Sequence, residues 1–304
     1  MISSLLLFFP IKEVFEGKSK LEQQFGISIP ENIPFLSNIL GNTINIRYYA
    51  VCILIGVLSG YILTLKLSKV YKIAGTVIDR LLLGITVFGL IGARLFYVIF
   101  NLKIFILEPI SILFVWLGGL AIFGAILGSA LYLYLYCNRF KFNFYEFLDF
   151  LTPGLLLGQI FGRFGNFFNY ESYGGPTSAY WKMYVPQTAK ISENVNQEYF
   201  HPTFLYEVIP NIFVFLFILW FYEKLTLRRS GLVFGLYCIC YGSIRFCTEF
   251  FRIDALRFDL PTRITFSVLD FQTVYVSQLC ASIMCIVGII LVQKRKNWNT
   301  SVTL

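Results

Sequence analysis

Charge is what this sequence has little of. Only 14% of its 304 residues are Asp, Glu, Lys or Arg, and 57% are hydrophobic, against about 25% and about 45–50% in an average soluble chain. The apolar residues come in runs near the ~20 that a helix needs to cross hydrocarbon, which excludes an ordinary water-soluble globule. Histidine is nearly missing too, His201 being the only one. The seven cysteines (Cys52, Cys137, Cys238, Cys240, Cys247, Cys280 and Cys285) form no CxxC pair and lie in or beside apolar segments. Metal and disulfide chemistry are thereby disfavoured, and the thiols read as small packing groups. No basic-aromatic stripe, RNA-binding signature or zinc-finger spacing accompanies the net charge of +8, so nucleic acid is not an expected partner. The opening "MISSLLLFFPIKEVFEGKSK" has no basic leader and no small-residue cleavage site, and its apolar core is short for a span. It reads as an interfacial segment rather than a signal peptide.

What is present is a series of seven apolar runs, near 46–66, 81–101, 117–137, 147–166, 203–222, 231–250 and 273–293. They predict an all-α integral membrane protein with seven transmembrane helices. The stretch 104–116 is apolar but short and holds Pro109, so it is expected to be a re-entrant or interfacial connection. Lys66, Lys69, Lys72 and Arg80 follow the first run, and Arg139 and Lys141 the third. Lys224, Arg228 and Arg229 follow the fifth, and Lys294, Arg295 and Lys296 the seventh. All four sets fall on one face, which the positive-inside rule makes cytoplasmic; the N-terminus is then outside and the C-terminus inside. The expected organisation is an N-terminal extension (1–44), a seven-span domain (45–293) whose outer loop 170–202 forms a small extracytoplasmic head, and a basic cytoplasmic tail (294–304).

Four basic residues belong to no loop: Arg47, Arg94, Arg163 and Arg245. An arginine at bilayer depth costs roughly 2.5–3.5 kcal/mol on insertion scales. Few acids lie close in sequence: Glu249 is one turn beyond Arg245, and Asp79 and Asp149 sit near run ends. A negatively charged ligand held at bilayer depth is therefore expected. In "GQIFGRFGNFFNYESYGGPTS", residues 158–178, Arg163 suits bidentate phosphate binding. Asn166 and Asn169 add uncharged hydrogen-bonding groups, Glu171 is placed to orient a guanidinium, and the glycines permit close backbone approach. The bland alternative is a helix-packing seam with a snorkelling arginine. In "YGSIRFCTEFFR", Tyr241, Arg245, Glu249 and Arg252 are spaced four, four and three apart, so a helix aligns them on one face. His201 opens "HPTFLYE", Tyr49 lies in "IRYYA", and Arg94 lies in "IGARLFY", where holding helices together is its expected role.

These motifs resemble the prolipoprotein diacylglyceryl transferases, whose G-R-x-G-N-F-x-N-x-E-x-x-G signature is matched by "GRFGNFFNYESYGG". "RYYA", "GARLFY", "HPTFLYE" and "YGSIRFCTEFFR" agree with the family in order and spacing, and the likeness covers about residues 45–293. The resemblance implies transfer of the diacylglyceryl group of phosphatidylglycerol to the lipobox cysteine of a prolipoprotein signal peptide. A thioether forms and glycerol phosphate leaves, in a bacterial cytoplasmic membrane and without metal or cofactor. It assigns Arg163 to phosphatidylglycerol and Arg245 as a second essential arginine; Asn166, Gly174, Tyr49, Tyr241 and Glu249 match further positions of the pattern. One departure stands out. Where many members carry a histidine in G-G-x-x-x-H-G-G, this chain reads "GGLAIFGAILG", with Phe123 at that place and Ala125 for a glycine. Tyr241, Glu249 and His201 are then the candidate bases, unless the thiol ionises unaided. A membrane anion or lipid transporter is the alternative from another class, although no internal repeat links the two halves. A catalytically impaired lipid-binding relative is the other.

Overall fold

The computed structural model describes residues 47–69, 72–115, 118–190, 196–226, 230–253, 257–259, 265–266, 269–270 and 273–294. The expected N-terminal extension 1–44 and all of the basic tail beyond Lys294 lie outside the described residues. Among the described residues, seven helices are 18 to 26 residues long: α1 (Tyr48–Ser68), α2 (Gly75–Phe100), α4 (Ile122–Phe140), α5 (Phe144–Phe168), α6 (Thr203–Thr226), α7 (Leu232–Glu249) and α8 (Val276–Lys294). Each coincides with a predicted run. Several extend past it, because the backbone ladder continues after the apolar composition stops. Arg80 thus lies in the first turns of α2, and Lys66 and Arg139 in the last turns of α1 and α4, rather than in loops. The 104–116 stretch is a six-residue helix, α3 (Leu102–Leu107), followed by a 3-10 turn (Pro109–Leu113).

By length and composition, α1, α2 and Thr203–Trp220 of α6 are each able to cross a membrane, and Ser277–Gln293 of α8 is a shorter apolar helix. α5 and α7 are diluted by the polar residues that turn out to matter, Gln159, Arg163 and Asn166 in one, Arg245 and Glu249 in the other. Leu54, Val57, Ile99, Phe213 and Trp220 are among the large apolar side chains left exposed. Such a surface is stable in lipid, not water.

The chain divides into two compact units, residues 61–151 and the remainder, with the boundaries inside α1 and α5. In the first, α2 and α4 pack through small residues. A Cβ on Gly92 would meet the Gly124 carbonyl oxygen at 2.4 Å, and one on Gly128 the Phe88 carbonyl oxygen at 2.3 Å. The Ser129 hydroxyl donates to the Ile85 carbonyl across the seam. Arg94 belongs here. Its guanidinium donates to the carbonyls of Ser111, Ile112, Gly118 and Gly119 at 2.5–3.0 Å. Gly118 and Gly119 adopt φ of +92° and +70°, which turns their carbonyls toward it. Arg94 therefore needs no anion; backbone satisfies it, in line with the helix-holding role.

In the other unit, Gly56 and Gly60 of α1 face Gly158 and Gly154 of α5 closely enough that a Cβ on Gly60 would lie 2.9 Å from the Gly154 oxygen. α7 and α8 form a second small-residue seam from Gly235, Gly242, Ala281, Cys285 and Gly288. Cys285 fills it as a free thiol, as do the other cysteines in their places. Between α5 and α6, residues 170–190 and 196–202 contribute to a core that includes Tyr170, Tyr173, Met183, Val185, Phe200 and Phe204. There β1 (Met183–Tyr184) pairs antiparallel with β2 (Tyr199–Phe200). After α7, β3 (Arg257–Asp259) pairs with β6 (Thr273–Tyr275), and β4 (Thr265–Phe266) with β5 (Leu269–Asp270).

Candidate active site

Spacing puts Gln159 and Arg163 on one face of α5, and Tyr237, Tyr241, Arg245 and Glu249 on one stripe of α7. α6 brings Glu207 between them. Arg163 Nε lies 2.7 Å from Glu207 Oε2, and Arg245 Nη1 lies 2.6 Å from Glu207 Oε1. One carboxylate, only 2% exposed, thus bridges two guanidiniums from different helices. Arg245 also pairs with Glu249 Oε2 at 2.8 Å, and Arg252 reaches that oxygen at 3.9 Å. The Ser277 hydroxyl donates to Glu249 Oε1. The Tyr241 hydroxyl is in hydrogen-bonding reach of Arg163. Its ring stacks on Tyr237 at 5.5 Å, and the Tyr237 hydroxyl accepts from Gln159 Nε2 at 2.7 Å.

This corrects the expectation that acids are too few to pair the buried arginines. Glu207 was not among the sequence-derived site residues, although it closes the "HPTFLYE" stretch. The signal that finds it is the rule that an acid inside an apolar span faces a partner. Ser277 carried no such signal. A second correction concerns Glu171. It is exposed and accepts from Asn169 Nδ2 at 3.1 Å, and the acid that orients Arg163 is Glu207. Arg47, placed at the edge of a span, is exposed at the start of α1.

The remaining residues surround the pair of guanidiniums or the loop beside them. Tyr49 lies near enough to Arg163 and Glu171 to interact with both. Its ring sits where a Cβ on Gly165 would fall, 2.8 Å from Cδ2, so Gly165 makes room for this phenol. Gly158 and Gly162 have open space or only a loose contact with Ile53. Glycine therefore serves packing at one position and leaves room at two others. The Asn166 carboxamide has no partner among the described residues, and Asn169 Oδ1 is buried without one. Gly174 is wedged against the Phe251 oxygen, His201 Cβ and Thr203 Cγ2, all within 3.0 Å of a would-be Cβ, and its N–H donates to the His201 carbonyl. His201 Nδ1 and Tyr206 Oη are 2.8 Å apart, and Tyr206 Oη accepts from Trp181 Nε1. Its contacts are thus with the loop and its aromatic neighbours, and the ion pairs above do not include it. Phe123 belongs to the 61–151 unit, in the first turn of α4, its ring 6.4 Å from Phe96.

Where α5 ends, Tyr170 and Ser172 take left-handed φ of 54° and 56°. For residues with a side chain this costs roughly 1–2 kcal/mol each. Thr203 Oγ1 donates to the Ser172 carbonyl and Arg252 Nη2 to the Ser172 hydroxyl, which pins the strained turn beside the ion pairs. The outcome is a half-buried set of fork-shaped cations paired with carboxylates, a donor chemistry suited to a tetrahedral anion.

Comparison with known proteins agrees. The family model for prolipoprotein diacylglyceryl transferase matches residues 34–293. A phosphatidylglycerol–prolipoprotein diacylglyceryl transferase of Fervidobacterium nodosum is 38% identical over 251 residues, 82% of this chain and 81% of its own length. Proteins of the same name from Thermotoga maritima (37% over 254 residues, 83% and 82%) and Prochlorococcus marinus strain MIT 9301 (38% over 230 residues, 70% and 77%) are similar as well. With the signature around Arg163, the second arginine at Arg245 and a match over most of its length, this chain belongs to the prolipoprotein diacylglyceryl transferase family.

Proposed function

We propose that this protein transfers the sn-1,2-diacylglyceryl group of phosphatidylglycerol to the lipobox cysteine thiol of prolipoproteins, forming a thioether and releasing glycerol phosphate. The observation that carries this reading beyond family membership is the Arg163–Glu207–Arg245 bridge. Sulfur attacks C3 of the diacylglyceryl glycerol, and the C–O bond to phosphate breaks. The leaving phosphate gains negative charge, and two guanidiniums already fixed in an apolar interior stabilise it without reorganising. Arg163 and Arg245 hold the phosphate; Tyr241 and Glu249 set the guanidinium directions. Tyr49, Asn166, Asn169, Glu171 and Gly174 shape the surrounding headgroup site, and His201 braces the loop over it. The nucleophilic thiol is the substrate's, so none of the seven cysteines is required. The enzyme works as a seven-span protein of the bacterial cytoplasmic membrane, N-terminus outside, with residues 170–202 as an extracytoplasmic head.

The test is purified protein in phosphatidylglycerol vesicles with a lipobox peptide. Thioether-linked peptide and glycerol phosphate are expected, and Arg163→Ala or Arg245→Ala should lower the rate by about 100- to 1,000-fold. No product from the wild type refutes the assignment. Anion flux without lipid turnover moves the protein to the transporter class.

A further inference from the structure

The geometry points to Glu207 as the proton acceptor of the transfer, a carboxylate that holds the two guanidiniums until lipid arrives and then takes the thiol's proton. This deepens the transferase reading and rests on it. Three observations converge.

First, Glu207 occupies the place between Arg163 and Arg245 that a phosphate has to enter. Its Oε2 lies 2.7 Å from Arg163 Nε and its Oε1 2.6 Å from Arg245 Nη1, so an entering phosphate competes with it for the same donors. Second, a receiving group waits one turn further along the same face of α6. Asn211 is 0% exposed, and among the described residues neither its Nδ2 nor its Oδ1 has a hydrogen-bond partner. Buried amides are ordinarily satisfied. At i+4 from Glu207, the Asn211 Nδ2–H is within reach of that carboxylate once it swings off the guanidiniums. Third, the other candidate bases stand elsewhere than between the two guanidiniums. Glu249 is held by Ser277 on one oxygen and by Arg245 and Arg252 on the other. His201 Nδ1 is bound to Tyr206. Tyr241 stands beside Arg163, with its hydroxyl in hydrogen-bonding reach of that guanidinium.

Charge conservation argues the same way. The lipid phosphate enters as a diester with one negative charge and leaves as a monoester that carries two. If the thiol proton goes to Glu207, the charge inside the apolar site is constant through the step; if it escapes to water, one negative charge is left uncompensated. The step balances: the S–H proton moves to a Glu207 oxygen as the S–C3 bond forms, and the C3–O bond breaks with its electron pair going to the phosphate oxygen. Glycerol phosphate then takes up the proton as it departs, and the carboxylate returns between Arg163 and Arg245.

The test compares cysteine and selenocysteine lipobox peptides in phosphatidylglycerol vesicles, because a selenol is ionised at neutral pH and needs no base. Glu207→Gln should slow transfer to cysteine by about 100-fold and bind phosphatidylglycerol at least as tightly as the wild type, while transfer to selenocysteine is restored to near the wild-type rate. Asn211→Leu, which leaves the ion pairs intact, should show a smaller loss on cysteine with the same rescue, and it decides the matter if the Glu207 variant does not fold. A wild-type rate of Glu207→Gln on cysteine overturns the inference, as does an equal loss on both peptides, which marks a positioning role only. Those results leave the transferase reading standing; absence of product from the wild type sinks both.

Discussion

Arg94 and Arg163 read alike in the sequence, each a cation within an apolar run, yet their surroundings separate them. Arg94 spends its donors on four backbone carbonyls, two of them from glycines with positive φ. Arg163 is matched by a side chain that can move. A ligand can displace a carboxylate but not a main chain, so only the second arrangement suits a site. Replacing Arg94 with leucine leaves those part-buried carbonyls without their donor, at a cost of up to about 1–3 kcal/mol each. Arg94→Leu should therefore lower the melting temperature in detergent sharply, and Arg94→Lys should recover only part of it, because an ammonium cannot fork to four acceptors. Thermal unfolding of both variants checks this. A leucine variant as stable as the wild type would falsify the structural role.

At the scale of the helix, a glycine's meaning depends on what crosses it. Gly92, Gly124 and Gly128 let α2 and α4 approach until a Cβ would strike backbone oxygen. Backbone cannot rotate aside as a side chain can, so Gly128→Ala is expected to cost about 1–3 kcal/mol. Gly158→Ala, with nothing within 4 Å of the added Cβ, should be near neutral; unfolding midpoints of the two variants decide it. The same contrast marks what was legible beforehand. All seven long helices were readable, because apolar runs bounded by charge record a helix directly. The alignment of Tyr241, Arg245 and Glu249 was readable from the four-residue spacing. Glu207 was not assigned, since the acid that satisfies Arg163 lies 44 positions along the chain and spacing records only neighbours one turn away. The left-handed Tyr170 and Ser172 left no trace either, because neither is a residue type that favours positive φ.

For the whole molecule, the positions of the charges make a statement about direction. Lys72, in the turn before α2, and Lys141, at the C-terminal end of α4, are exposed, and both take left-handed φ. Tyr180 is 88% exposed in the segment between α5 and α6. The proposed seven-span topology, with lysine-rich ends cytoplasmic, predicts Lys72 and Lys141 inside and Tyr180 outside. A membrane-impermeant maleimide should then label Tyr180→Cys in intact spheroplasts, and label Lys72→Cys or Lys141→Cys only after permeabilisation. The wild-type chain, with Cys247 its one exposed thiol among the described residues, gives the background. The orientation matters to the chemistry. If the acceptor thiol of the proposed reaction arrives at the outer face, Arg163, five residues before the α5 end that leads to Tyr180, has to lie near that face to meet it. Labelling of Lys141→Cys from outside, with Tyr180→Cys protected, would place the guanidiniums at the wrong depth for a thiol arriving there, and the transfer would need a different route for its acceptor.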